Sequence, residues 1–141
     1  MADDAERYLT DAGRDRARRV GGSLKAAGVA PDMILTSPLV RAVQTAELLA
    51  TELGYDRQVE VLRSLAPGFP ARIAGAELPS RVVYLLLVGH EPGISILVSF
   101  LLSLPSFPPF RPCQVALVDR GRPAWTLHPE TLEQQRLMVG V

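Results

Sequence analysis

The sequence predicts a single three-layer α/β/α domain built around a mainly parallel β-sheet. Short apolar segments alternate along the chain with longer segments in which apolar residues recur at helical spacing. The segment 82–88 is almost wholly aliphatic, which is typical of a strand buried on both faces of a parallel sheet. The chain has 141 residues, of which 48% are hydrophobic, enough for one buried core. We therefore expect one domain that covers residues 1–141.

The first half of the chain predicts the order helix, strand, helix. Thr10 is typical of a helix N-cap, and the arginine-rich amphipathic segment after it ends near Gly28. Residues 33–36 (Met-Ile-Leu-Thr) form a short apolar run that suits a buried strand. Pro38 lies where proline commonly opens a helix, and the alanines and leucines that follow repeat at helical spacing up to Gly54.

The second half predicts further strands and one helix. Alternation over 59–62 indicates a strand, and a helix is expected from Gly93 to about residue 103. The proline-rich segment 105–112 is expected to be a loop. Two apolar segments flank Arg-Gly-Arg and predict a β-hairpin over 115–127. Residues 129–141 are expected to form a short helix or a frayed tail.

Charge and cysteine content exclude several classes of protein. Fifteen basic side chains balance fifteen acidic ones, so no overall field favours nucleic acid or an anionic membrane. The one cysteine, Cys113, excludes an internal disulfide framework and is typical of a reducing compartment. No apolar segment is long enough to span a bilayer, and the first residues lack the pattern of a secretion signal. We expect a cytoplasmic protein with no nucleic-acid or membrane partner.

Polar side chains follow two of the predicted strands where these strands end. Ser37 and Arg41 lie between the strand 33–36 and the first turn of the next helix, and His90 follows the strand 82–88. In open α/β sheets, ligands bind beyond the carboxyl ends of the strands. A first-turn arginine opposes the helix dipole unless an anion lies nearby, and its guanidinium can hold a phosphate through two N–H groups. Taken singly, Arg41 is typical of a surface residue and His90 of a structural histidine, but together they predict a phosphate site.

These segments resemble the histidine phosphatase superfamily, specifically its small bacterial phosphohistidine phosphatase branch. Four pieces match in order and span nearly the whole chain: Leu-Thr-Asp-Ala-Gly at 9–13, Ser-Pro-x-x-Arg-Ala-x-Gln-Thr at 37–45, Val-Gly-His-Glu-Pro at 88–92, and a closing hairpin with Trp125. The second and third pieces are the specific ones. The short segment between Gly54 and the strand 82–88 favours the small branch, because the larger mutases and acid phosphatases carry long insertions there.

The resemblance implies phosphoryl transfer through a covalent phosphohistidine, with no metal or cofactor. In this scheme a histidine from an Arg-His-Gly motif attacks phosphorus. His90 hydrogen-bonds the equatorial oxygens as charge develops, and Arg41 clamps the phosphoryl group beside Ser37. Glu91 adjoins the expected pocket and is a candidate general acid, although a carboxylate on the rim is an equal alternative.

The sequence departs from the family at its beginning. Family members start with a strand that ends in Arg-His-Gly, and no such motif occurs in this chain. We expect that strand to precede Met1, so that this chain lacks the first strand and the nucleophile and is inactive by itself. His128 is expected to be structural. Cys113 does not fit a thiol phosphatase, because Asp119 stands where the arginine of that loop would be.

Two functions remain open on the sequence. The first is a phosphatase acting on a phosphohistidine protein or on a small phosphoester. The second is a non-catalytic module that binds phosphate and regulates another process. A start codon assigned too late, a shortened chain or a degenerate module would each explain the absent motif. A nucleotide-binding domain is disfavoured, because neither standard glycine-rich phosphate loop occurs. The sequence leaves the substrate, the general acid and the oligomeric state undetermined.

Overall fold

The computed structural model of the chain describes residues 7–79, 84–91, 93–101, 115–119, 122–127 and 134–136. Its helices are α1 (Asp11–Ala26), α2 (Val40–Leu53), α3 (Ala71–Glu77) and α4 (Gly93–Leu101), with a short 3₁₀ helix at Arg63–Leu65. Its strands are β1 (Met33–Thr36), β2 (Glu60–Val61), β3 (Tyr84–Val88), β4 (Val115–Asp119), β5 (Arg122–Leu127) and β6 (Gln134–Arg136). Within these residues, no helix has the length and apolar character needed to cross a membrane.

The six strands form one sheet in the order β2-β1-β3-β4-β5-β6. The first three are parallel: β1 lies between β2 and β3 and pairs with both. The last three run antiparallel, with β4 beside β3, then β5, then β6. The parallel half therefore places the carboxyl ends of β1 and β3 side by side, and each of these strands leads into a helix.

Helices cover both faces of the parallel half. On β1, Ile34 packs in a cluster with residues of α1 and α2, while its neighbour Leu35 packs in a second cluster with residues of α3 and α4. On β3, Leu86 belongs to the first cluster and Leu85 contacts the second. Because neighbouring strand residues point to opposite faces, both strands are covered on two sides. This confirms the predicted three-layer α/β/α class.

The pair α1 and α2 contains the two longest helices of the described residues. Thr10 caps α1 by accepting a hydrogen bond from the Gly13 amide at 3.0 Å, as the sequence predicts. The two helices approach closely at Gly21, where an added Cβ would lie 2.7 Å from the Cβ of Glu52. A side chain at Gly21 would therefore push the helices apart.

Several predicted elements are confirmed and others are wrong. The strand 33–36 and the hairpin of β4 and β5 form as expected, and Gly54 ends α2 in the left-handed conformation. Of the expected strand 59–62, only Glu60–Val61 forms a strand, which is β2. Helix α3 (Ala71–Glu77) forms in a segment for which the sequence predicts no helix.

The C-terminal end differs from its prediction as well. Residues 134–136 form strand β6, which pairs with β5, instead of a helix or tail. This segment is polar and short, so its sequence carries neither a helical nor a strand period. The predictions for residues 82–83, 102–114 and 128 lie outside the described residues.

Candidate functional site

The site is built where β1 and β3 end beside each other. Thr36 pairs with Val88 in the parallel register of the two strands. One residue further on, the Ser37 amide donates a hydrogen bond to the Val88 carbonyl at 2.9 Å. The residues that leave the two strands, Ser37 and His90, therefore start from the same edge of the sheet.

Ser37 and His90 are in direct contact across this edge. The Nε2 atom of His90 lies 2.8 Å from the Ser37 hydroxyl oxygen, at hydrogen-bond distance. Ser37 is fully buried, and its hydroxyl also accepts the Leu39 amide at 3.2 Å. The His90 carbonyl accepts the Ile94 amide at 2.8 Å, and the histidine is half-buried. Both residues are thus held by backbone contacts as well as by each other.

Gly89 allows His90 to lie close to α4. A Cβ at Gly89 would meet the Cδ1 of Ile94 at 3.3 Å, tighter than an ordinary side-chain contact. Ile94 is also the residue whose amide bonds to the His90 carbonyl. Any larger residue at Gly89 would displace Ile94 or the turn that carries His90.

Arg41 occupies the first turn of α2, four residues after Ser37. The N-cap of this helix is Leu39, which makes no side-chain capping bond, and the first turn holds no acidic residue. Arg41 is half-buried, and its carbonyl accepts the Thr45 hydroxyl at 2.9 Å. A helix N-terminus carries a partial positive charge, and the guanidinium adds a full one. The entrance of α2 therefore favours an anion beside Ser37 and Arg41.

Glu91 contacts the N-terminus of α4 with both carboxylate oxygens. Its Oε1 accepts the Ser95 amide at 3.2 Å, and its Oε2 accepts the Ser95 hydroxyl at 2.8 Å. Glu91 is exposed, whereas Ser95 is buried. These contacts are those of a helix cap. The general-acid role stays a prediction, and that role would compete with the cap.

A cavity of about 350 Å³ opens beside His90 and Glu91. One wall is residues 64–71 with Ala74, and the other is the segment 89–91 with the first turns of α4. Its lining is mainly apolar, and Ser64 is a buried polar residue within it. The cavity leaves no signal in the sequence, because it depends on a contact between two segments about 25 residues apart.

The structure brings some of the predicted site residues together and separates others. Ser37 and His90 touch, and Arg41 shares the β1–α2 junction with Ser37. His90 and Glu91 also line the cavity, whereas Ser37 and Arg41 are not among its lining residues. In the part of the chain that the structure describes, no group of three or more His, Cys, Asp or Glu residues is placed to hold a metal. The side chains of Cys113 and His128 lie outside the described residues.

Comparisons with known proteins agree on one family. The sequence model of the histidine phosphatase superfamily (branch 1) matches residues 2–66. An uncharacterized protein of Picosynechococcus sp. is 42% identical over 98 residues, which are 66% of this chain and 58% of that protein. The chain therefore spans little more than half the length of this relative. The phosphohistidine phosphatase SixA of Escherichia coli is 29% identical over 144 residues, covering 96% of this chain and 89% of SixA.

A solved structure extends the similarity to the whole fold. The structure of the protein histidine phosphatase SixA complexed with tungstate superimposes with a TM-score of 0.85 at 30% identity. The match covers 94% of this chain and 91% of that one. The chain belongs to the histidine phosphatase superfamily, in its small bacterial phosphohistidine phosphatase branch.

Proposed function

We propose that the protein is a phosphatase that hydrolyses phosphohistidine on a protein or a small phosphoester. The contact that carries this proposal is the 2.8 Å approach of His90 to Ser37, at the sheet edge where α2 begins with Arg41. This edge combines a histidine, a guanidinium and a helix N-terminus, which are three groups that stabilise a phosphoryl anion. Similarity to SixA, which has been solved with tungstate, supports a site for a tetrahedral oxyanion.

Each of the three residues has a separate task in this proposal. Arg41 holds two oxygens of the phosphoryl group through its forked N–H donors. His90 hydrogen-bonds an oxygen whose charge increases in the transition state, and the fully buried Ser37 orients the imidazole ring. A side chain held in this way keeps its donor aimed without reorganisation during the reaction.

The covalent step requires a nucleophilic histidine. In the scheme that the family implies, a histidine nitrogen attacks phosphorus, the bond to the leaving group breaks, and water later cleaves the P–N bond. The chain has two histidines, His90 and His128, and neither lies in an Arg-His-Gly motif. In this proposal the described residues supply phosphoryl binding and charge stabilisation, and the source of the nucleophile is part of the test.

Hydrolysis of an aryl phosphate tests the proposal. The assay compares the 141-residue chain with the same chain preceded by any in-frame residues encoded upstream of Met1, each with and without Arg41→Ala. Turnover that depends on Arg41 in either form supports a phosphatase. Oxyanion binding that depends on Arg41, with no turnover in either form, would favour the phosphate-binding regulatory module. Turnover that Arg41→Ala leaves unchanged would contradict the assignment of Arg41 to the active site.

A further inference from the structure

The cavity beside His90 leaves two large apolar side chains in contact with water. Phe69 lies on the wall formed by residues 64–71, and Ile96 lies on the opposite wall, in α4. Phe69 is 42% exposed and Ile96 is 44% exposed. Scattered exposed apolar residues are ordinary on a protein surface, but two that line one cavity are typical of a surface that another molecule covers.

The cavity is continuous with the proposed phosphoryl site through His90. This histidine lines the cavity, and its Nε2 atom lies 2.8 Å from the Ser37 hydroxyl oxygen. Ser37 and Arg41 do not line the cavity, so its volume of about 350 Å³ extends away from the junction where we place the phosphoryl group. A molecule that occupies the cavity therefore contacts the protein beyond the group that reacts.

Exposed arginines lie at both ends of the wall 64–71. Arg63 directly precedes this wall, and the Leu62 amide before it donates to the Thr36 carbonyl at 2.8 Å, which holds this end of the wall at the edge of the sheet. Arg72 directly follows the wall, in the first turn of α3. Neither guanidinium has a hydrogen bond or an ion pair within the part of the chain that the structure describes. Both positive charges are therefore available to acidic groups of a molecule in the cavity.

Glu91 is the acidic residue of the cavity lining, and its carboxylate already has partners. Both carboxylate oxygens accept hydrogen bonds from Ser95 at the start of α4, where the helix dipole favours a negative charge. The wall 64–71 thus has a positive charge at each end, while the opposite wall directs its carboxylate toward its own helix. These charges favour an occupant that is acidic on the side of Arg63 and Arg72.

The exposure of the cavity walls favours a polypeptide over a small ligand as the occupant. A small-molecule pocket encloses most of its ligand, whereas Phe69 and Ile96 stay partly exposed at this cavity. Aromatic and arginine side chains are enriched in contacts between proteins. In such contacts, an apolar residue of one partner fills a pocket of the other, and polar or charged residues surround it.

We propose that this cavity docks a segment of the protein substrate that presents an apolar side chain flanked by acidic residues. The apolar side chain packs between Phe69 and Ile96, and the acidic residues pair with Arg63 and Arg72. The inference rests on the proposed function, which makes the docked protein the substrate, and it assigns substrate selection to residues outside the phosphoryl site. A small phosphoester carries no such segment and gains nothing from these four residues.

Fluorescence anisotropy with labelled peptides and the 141-residue chain tests the docking surface without any need for turnover. Each peptide carries a phosphonotriazole side chain, a stable mimic of phosphohistidine. The first series has a leucine flanked by glutamates at successive positions from the mimic, the second replaces the glutamates by glutamine, and the third replaces the leucine by serine. We expect the best peptide of the first series to bind about 3- to 10-fold more tightly than its glutamine and serine counterparts. Salt at about 0.5 M should remove the advantage over glutamine and preserve the advantage over serine.

Two charge-removing variants with a matched control assign the preference for acidic residues. Arg63→Gln and Arg72→Gln should each weaken binding of the glutamate peptide by about two- to fivefold and leave the glutamine peptide unchanged. Arg18→Gln, at an exposed position of α1, should change neither. All three variants should bind tungstate as the unmodified chain does. A fall in the tungstate affinity of Arg63→Gln would place Arg63 in the phosphoryl site and overturn its docking role.

Phe69→Ala assigns the preference for an apolar side chain. This variant should remove the advantage of leucine over serine, whereas Tyr8→Ala, at an exposed aromatic residue that does not line the cavity, should keep it. Because Phe69 is partly exposed, the variant should retain the circular dichroism spectrum of the unmodified chain. A preference for leucine that persists in folded Phe69→Ala would overturn the assignment of the apolar contact to this cavity.

The outcomes also separate this inference from the proposed function. Peptide binding that depends on Arg41, with no preference among the three series, overturns the docking surface and leaves the phosphatase proposal standing. The same preferences in peptides without the mimic support the docking surface, whatever Arg41→Ala does to tungstate binding. Sedimentation velocity tests a second copy of the chain as the occupant. A concentration-dependent dimer that Phe69→Ala abolishes would assign the cavity to that copy and overturn the docking of a substrate.

Discussion

The two strand-to-helix junctions at the site differ in how their helices begin. At the β3–α4 junction, the chain supplies its own anion, because the Glu91 carboxylate accepts both the amide and the hydroxyl of Ser95. At the β1–α2 junction, the N-cap residue Leu39 makes no side-chain capping bond, the first turn of α2 holds no acidic residue, and Arg41 adds a positive charge. The β3–α4 junction thus contains its own anion, whereas the helix dipole and Arg41 both contribute positive charge at the β1–α2 junction.

This difference indicates that the two junctions have different roles. In the proposed function, the β1–α2 junction binds the phosphoryl group, since the helix dipole and Arg41 both contribute positive charge there. In the same proposal, the β3–α4 junction, which the Glu91 carboxylate caps, positions His90 against Ser37. Substitutions at the two junctions should therefore affect different measured quantities.

The largest effect is expected for His90→Ala. Loss of one aimed donor to the developing charge lowers turnover by about 100-fold or more. Because the substituted residue is half-buried and contacts the Ser37 hydroxyl, circular dichroism must first show that the variant folds. The measurement is kcat on an aryl phosphate, in whichever form of the protein turns over. An unchanged kcat would return His90 to a structural role.

Arg41→Ala is expected to weaken oxyanion binding by about 10- to 100-fold, the range of a charge-assisted forked contact. Tungstate affinity, measured by calorimetry on the 141-residue chain, checks this without turnover. Arg18→Ala is the matched control, because it removes the same charge from an exposed position on α1. If both variants bind tungstate equally well, the β1–α2 junction is not the anion site.

Ser37→Ala tests whether the contact between the junctions orients His90. The substitution removes an acceptor of the Leu39 amide and the hydroxyl partner of His90, so we expect a loss of about 1–2 kcal/mol in the free energy of unfolding. We also expect kcat to fall while tungstate affinity changes less than it does in Arg41→Ala. Denaturant unfolding measures the change in the free energy of unfolding. The values of kcat and KM, determined separately, measure the effect on the reaction. A loss of affinity as large as that of Arg41→Ala would show that Ser37 binds the anion directly.

The smallest effect is expected for Glu91→Gln. The amide keeps one acceptor for Ser95 but loses the charge that interacts with the α4 dipole, which costs about 0.3–1 kcal/mol. Thermal unfolding should show a decrease of a few degrees at most. A fall in turnover of 100-fold or more, at unchanged stability, would instead identify Glu91 as the general acid.

The sequence predicted the parallel half of the fold well because its signals are local. Thr10, the apolar run of β1 and Gly54 each act through their own backbone or their nearest neighbours. Helix α3 was missed because it has only seven residues, follows Pro70 and contains Gly75, so it carries no clear period. It is stabilised by contacts across the fold, such as the approach of Gly75 to Leu97.

The candidate site likewise has features that local sequence signals predict and features that they do not. The contact between Ser37 and His90 could be expected, because both residues follow strands whose carboxyl ends meet at one edge. The cap made by Glu91 could not, since it depends on how side chains pack around a turn. Hydrogen-bond satisfaction is a property of the assembled fold and leaves no pattern in the chain.

The bond between Ser37 and His90 closes a loop of 53 residues, so the site forms only when β1 and β3 pair. Pairing at this separation costs chain entropy that no local contact offsets, which makes it a slow step in folding. An oxyanion that touches both junctions would act as a reversible crosslink between the two strands. Its concentration would then set how often this edge of the sheet opens, and slow amide exchange at Ser37 would report its binding.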